Sequence, residues 1–210
     1  MSTFFFYAVA TAASPAKSMK QLLAEPRPTR RAALAVGFVG ALYAAASFAL
    51  AAVGAVPLAT AFLQIAPENY YFWQTLFAVP YVLLAWALVA GLMRLLRKPE
   101  QGGPAFEKTA ALAGIALAAA LFIAWIPMAV VTLFMVLGMG QEELVDILSR
   151  PGLWQVLYIA LYLLAGIAAA WLLTLAVGLG HFKKAGRART IIVGVLAAAV
   201  LAGTFMMFIR

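Results

Sequence analysis

Gln155, Tyr158 and Tyr162 stand three and four residues apart inside a long apolar run, so a helix carries all three on one face. Amide and phenol groups in hydrocarbon either line a polar path or hydrogen-bond to a neighbouring helix. Pro127, inside another apolar run, frees a carbonyl one turn earlier and marks a hinge, a cavity wall or a tolerated kink. Glu142, Glu143 and Asp146 also share a helix face and hold the oxygen donors of a divalent-cation site, although exclusion of positive charge explains them equally well. His181 is the sole histidine and there is no cysteine, so multi-histidine, thiolate and disulfide chemistry are excluded. Neither a metal nor a cofactor is expected.

Catalytic patterns are missing too. No G-x-S-x-G, H-E-x-x-H or phosphate-cradling glycine loop occurs, and Gly102-Gly103 lacks the lysine that would follow in a phosphate loop. No Asp, Glu, Lys, Arg or His falls in the middle of an apolar run, where ion-coupled pumps and proton relays place theirs. The expectation is a protein that is not an enzyme. Its hydroxyls Ser47, Thr75, Thr132, Thr174 and Thr204 are expected to bond their own helix backbone.

The elements that position these groups follow from composition. The chain is 66% apolar and 10% charged, against about 45–50% and 25% in soluble domains. A soluble fold cannot hide that much apolar surface, so the bilayer must be the solvent. The sequence predicts an all-α polytopic membrane protein: a five-transmembrane-helix bundle over 32–210, behind a cytoplasmic or interfacial segment over 1–31. The spans fall at about 32–53, 74–93, 109–137, 153–179 and 191–209. A short helix is expected over 140–150, and residues 54–73 are expected to form a loop ending in the interfacial cluster Tyr70-Tyr71-Phe72-Trp73.

Within 1–31, Ser14 and Pro15 open a short amphipathic helix over 14–25. Met19, Leu22 and Leu23 form one face, Lys17 and Lys20 lie on the other, and Pro26 and Pro28 stop it. This helix is expected to lie on the membrane surface with its apolar stripe at the headgroup boundary. The stretch from Phe4 to Ser14 is read as a retained interfacial segment rather than a cleaved signal, because it is short and no Lys or Arg precedes it.

Of the fifteen Lys and Arg residues, all but Arg150 and Arg210 fall into three clusters separated by pairs of apolar runs. Lys17, Lys20, Arg27, Arg30 and Arg31 form the first; Arg94, Arg97, Lys98 and Lys108 the second; Lys183, Lys184, Arg187 and Arg189 the third. That alternation is the positive-inside pattern, and it predicts a multi-pass cell (inner) membrane protein with a cytoplasmic N-terminus and an external C-terminus. The net charge of +8 then serves anionic headgroups on the cytoplasmic side rather than nucleic acid. Lys17, Lys20, Arg30, Arg31, Lys183, Lys184 and Arg187 are the candidate lipid or partner contacts, the partner being another membrane protein or a second copy. Small residues four apart, Gly37 and Ala41, Gly114 and Ala118, Gly166 and Ala170, are candidate close helix contacts.

The layout resembles the compact prokaryotic members of the Yip1 family over nearly the whole chain. The resemblance is carried by Ser14-Pro15, Leu22-Leu23 and Glu25-Pro26, by Phe106-Glu-Lys-Thr109 leading towards Trp125-Ile-Pro127, by Leu153-Trp154, and by the basic turn Lys183-Lys184-Ala185. It implies a five-helix integral membrane protein of a bacterial plasma membrane, without assigned chemistry. The leading expectation is a non-enzymatic, Yip1-like protein that organises lipids or partner membrane proteins through its basic face and the 14–25 helix. The Asp-Leu-Tyr motif and long N-terminal domain of the eukaryotic relatives are missing, so their role with small GTPases does not carry over. The rival expectation is a small transporter or channel-like protein, with a path along Gln155, Tyr158 and Tyr162 beside Pro127.

Overall fold

Every residue from Ala110 to Leu121 is buried, on all sides of its helix. A helix so enclosed needs neighbours all round, and small side chains let them come close. The run Ala-Ala-Leu-Ala-Gly-Ile-Ala-Leu-Ala-Ala-Ala-Leu supplies them. It is the first half of α5 (Phe106–Val136), the central post of the molecule in the computed structural model, which describes residues 3–57, 65–95, 106–180 and 187–208.

Around α5 stand α3 (Pro28–Ala52), α4 (Tyr70–Leu95) and α7 (Leu153–Gly180), with α8 (Arg187–Phe208) against α4 and α7. These five helices are long and apolar enough to cross a membrane. The protein is thus an all-helical, polytopic membrane protein with additional short N-terminal helices. Helix α4 starts at Tyr70, behind a turn of 3-10 helix over Pro67–Asn69, so the aromatic cluster belongs to the helix rather than to the loop before it. Both α4 and α5 run without interruption through their internal prolines, Pro80 and Pro127.

The two short N-terminal helices differ from expectation. Residues Thr3–Ala13 form α1, which packs against α3 and α5, and Pro15–Ala24 form α2, which packs against α5, α7 and α3. The stripe of Met19 and Leu22 is fully buried in the bundle instead of at a headgroup boundary, while Lys17 and Lys20 point outward, exposed. The reason lies in α5: its Ala-rich half needs cover, and α1 and α2 provide it where the long helices leave gaps. Glu25 fastens the arrangement. Its carboxylate accepts a 3.0 Å hydrogen bond from the Tyr7 hydroxyl and lies 3.9 Å from the Arg31 guanidinium.

Hydrogen bonds from side chain to backbone lock the long helices in register. Tyr43 Oη donates to the Leu121 carbonyl at 3.0 Å, Trp125 Nε1 to the Leu42 carbonyl at 3.1 Å and Trp86 Nε1 to the Ala110 carbonyl at 2.7 Å. Of the three small-residue pairs, one marks a close approach. A Cβ on Gly114 would lie 2.8 Å from Trp86 Nε1 and 3.0 Å from Ala32 Cβ, whereas one on Gly37 or Gly166 would meet nothing. Gly194 is a closer contact that the spacing did not flag: a Cβ there would run into Thr174 of α7.

Candidate functional site

The chemistry-bearing residues gather at two places, one at each end of the bundle. The first is the end where α3 and α8 begin and α4 finishes. It carries Lys17, Lys20, Arg30 and Arg187, all exposed, and none of these four meets a carboxylate among the described residues. Lys183 and Lys184 lie outside the described residues. Arg94 is engaged, its guanidinium 4.9 Å above the Phe106 ring. Arg27, Arg30 and Arg31 line one recess of about 210 Å³, together with Glu25, Pro26 and Leu34, where the chain turns from α2 into α3. Pro26 and Pro28 force that turn, and the recess sits against the first turn of α3.

Three arginines and one glutamate share that recess, next to the positive end of a helix dipole, and this combination suits a phosphate. The carboxylate is already shared between Arg31 and the Tyr7 hydroxyl. Burial, and after it the hydrogen bond and charge of Glu25, push the Tyr7 phenol above its ordinary 10.0, while Arg31 acts the other way. At neutral pH the Tyr7 hydroxyl therefore stays a donor.

The second place is a cavity of about 280 Å³ in the opposite half of the bundle. Tyr43 of α3, Tyr71 and Gln74 of α4, Met128 of α5, and Tyr158 and Tyr162 of α7 supply its polar and polarisable wall. It is covered by α6 (Gln141–Ser149), whose Leu144 is buried over it. The Tyr158 and Tyr162 rings meet edge to face with centroids 5.1 Å apart. None of the buried run Ala110–Leu121 lines the cavity, whose wall on α5 begins at Ala124. The cavity therefore lies in one half of the bundle, while packed helix fills the other.

The residues singled out by sequence separate here. Tyr158 and Tyr162 do line the cavity; Gln155 instead donates from Nε2 to the Ser149 carbonyl at 3.3 Å, closing the link between α6 and α7. Pro127 is buried one residue before Met128, in the stretch of α5 that walls the cavity, but does not itself line it. The hydroxyls of Ser47, Thr75, Thr132 and Thr204 each donate to the carbonyl four residues back. Among the acids, Asp146 is held at both oxygens by Arg150, at 2.8 and 2.6 Å, while Glu142 and Glu143 are exposed. Among the described residues no three acidic or imidazole groups come together as metal ligands.

No known family, curated protein or solved structure matches this chain. Its function must be read from these two places alone.

Sequence reasoning missed the most unusual residue in either. Gln74 is completely buried, lines the cavity, and neither its Oε1 nor its Nε2 meets a hydrogen-bond partner among the described residues. An orphaned buried amide costs about 1–3 kcal/mol. Directly after Tyr70-Tyr71-Phe72-Trp73, Gln74 reads as an interfacial residue, and nothing in that pattern gives its depth.

Proposed function

We propose that this chain is a non-enzymatic, Yip1-like integral membrane protein that organises anionic lipids, and with them partner membrane proteins, at its basic end. The observation that carries the reading is the recess shared by Arg27, Arg30 and Arg31. A lipid phosphate seated there exchanges water for charge-assisted hydrogen bonds at a helix N-terminus. Exposed Lys17, Lys20 and Arg187 at the same end add diffuse attraction to neighbouring headgroups. In this reading the basic end faces the cytoplasm, in a plasma membrane, and the C-terminus lies outside. The rival reading, a transporter beside Pro127, has a chamber but needs the packed half of α5 to part.

The test is the lipid annulus itself. Full-length protein is extracted in native lipid discs, and co-purifying lipids and proteins are identified by mass spectrometry. Wild type is expected to enrich phosphatidylglycerol over phosphatidylcholine. Arg27→Ala/Arg30→Ala is expected to reduce that enrichment roughly tenfold or more, because each cation near an anionic surface contributes about 1 kcal/mol. Unchanged enrichment in the double variant sinks the reading. Substrate flux abolished by Tyr158→Phe and Tyr162→Phe in reconstituted vesicles would favour the transporter instead.

A further inference from the structure

The cavity around Gln74 asks for an occupant of a particular chemistry. A primary amide carries a donor and an acceptor side by side, so a complementary head must offer both. A glycerol diol does so. Among the described residues no charged side chain lines the cavity, and a charged head would enter it without a counter-ion from that wall, stripped of its water. The occupant is therefore neutral. Most of the remaining wall is apolar and adaptable, with Met128, Met135 and Met206 contributing flexible thioethers that suit a hydrocarbon chain. At about 280 Å³ the space lies at the small end for ligand pockets, enough for a head and the first carbons of a chain.

We infer that this cavity is a binding site for the head of a neutral glycerol lipid, held by both ends of the Gln74 amide and covered by α6. It is separate from the arginine recess in position and in charge. It stands or falls without the reading proposed above.

The probe is a monoacylglycerol with a photoactivatable diazirine close to its head, added to the full chain in phosphatidylcholine nanodiscs. Labelling is expected to saturate and to map to peptides holding Met128, Tyr158 or Tyr162. Monoolein should compete; phosphatidylglycerol and free glycerol should not. Gln74→Leu, which keeps the bulk and removes the amide, should cut saturable labelling about tenfold. The same variant should raise the melting temperature of the lipid-free protein, because an unpaired amide has been replaced by an apolar group. Ala124→Phe, which fills the space and keeps Gln74, should abolish saturable labelling as well.

Four results overturn the inference. One is saturable labelling that survives Gln74→Leu, or that maps outside the cavity. Another is equal competition by glycerol or phosphatidylglycerol, which would indicate a free polyol or an anionic lipid. The third is a lower melting temperature for Gln74→Leu, which would give the amide a structural partner, and the fourth is labelling that never saturates, which would leave a chamber holding only water.

Discussion

Gln141 pairs with the backbone of Val56 through both ends of its amide, Nε2 donating to the Val56 carbonyl at 2.8 Å and Oε1 accepting from the Val56 N–H at 3.0 Å. The two residues are 85 positions apart, and the pair ties the start of α6 to the segment leaving α3. It does so at the rim of the cavity, which both residues line. The helix α6 is otherwise lightly held: Leu144 is its one buried residue, and its Asp146–Arg150 ion pair is internal.

Loosening this latch should therefore uncover the cavity without unfolding the bundle. The pair is exposed, so water replaces what Gln141→Ala removes and the cost is near 1 kcal/mol. The natural chain has no cysteine, so Leu144→Cys gives a single reporter thiol. Maleimide modification at Cys-substituted 144 is expected to run about fivefold faster when Gln141→Ala is added. Equal rates would mean that α6 is held by something else.

Tyr43→Phe removes the hydroxyl that bonds the Leu121 carbonyl between α3 and α5. Inside a membrane such interhelical bonds average about 0.6 kcal/mol and reach about 1.7. The loss should fall in that interval, because the ring keeps its packing, including the edge contact with Phe205 at 6.0 Å. Unfolding in mixed detergent micelles measures it. A loss well above 2 kcal/mol would show that the hydroxyl organises more than this one carbonyl.

Gly114→Ala should be worse than Tyr43→Phe, although it adds a single methyl group. The new carbon would lie 2.8 Å from Trp86 Nε1, and the indole cannot retreat without giving up its 2.7 Å bond to the Ala110 carbonyl. Overpacking of this kind costs about 1–3 kcal/mol. Gly37→Ala and Gly166→Ala, with nothing within 4 Å, serve as controls and should be neutral or slightly stabilising. If all three variants behave alike, the α3–α4–α5 contact is looser than the geometry requires.

That contrast shows how far the sequence could be read. The five apolar runs and the punctuation by Pro15, Pro28 and Pro151 report local propensity and solvent, and they place the long helices to within a few residues. Spacing does not report which neighbour a face meets. Gly37, Gly114 and Gly166 are alike in pattern, yet only Gly114 lies under another helix. Met19 and Leu22 look like a stripe for the membrane surface because the sequence cannot show that α5 leaves a gap for them. Gln155 and Tyr158 share a face, but the turn after α6 draws Gln155 to Ser149. Gln74 shows the limit most clearly, since its importance is a matter of burial and missing partners.

The docking of α1 can be checked by titration. Burial, then the Glu25 carboxylate, raise the Tyr7 pKa above 10.0, with Arg31 opposing. A group whose folded value is raised stabilises fully below its unfolded value, and the contribution fades as pH climbs through the folded value. The Tyr7–Glu25 contact should therefore hold undiminished across neutral pH and fail only in strong alkali. The ultraviolet phenolate signal of wild type minus Tyr7→Phe should rise above 10.0. Glu25→Gln should bring it earlier, because the charge that opposes ionisation is gone, and Arg31→Ala should delay it. A Tyr7 that ionises at the free-tyrosine value, unmoved by either change, would mean that α1 does not pack where the bundle holds it.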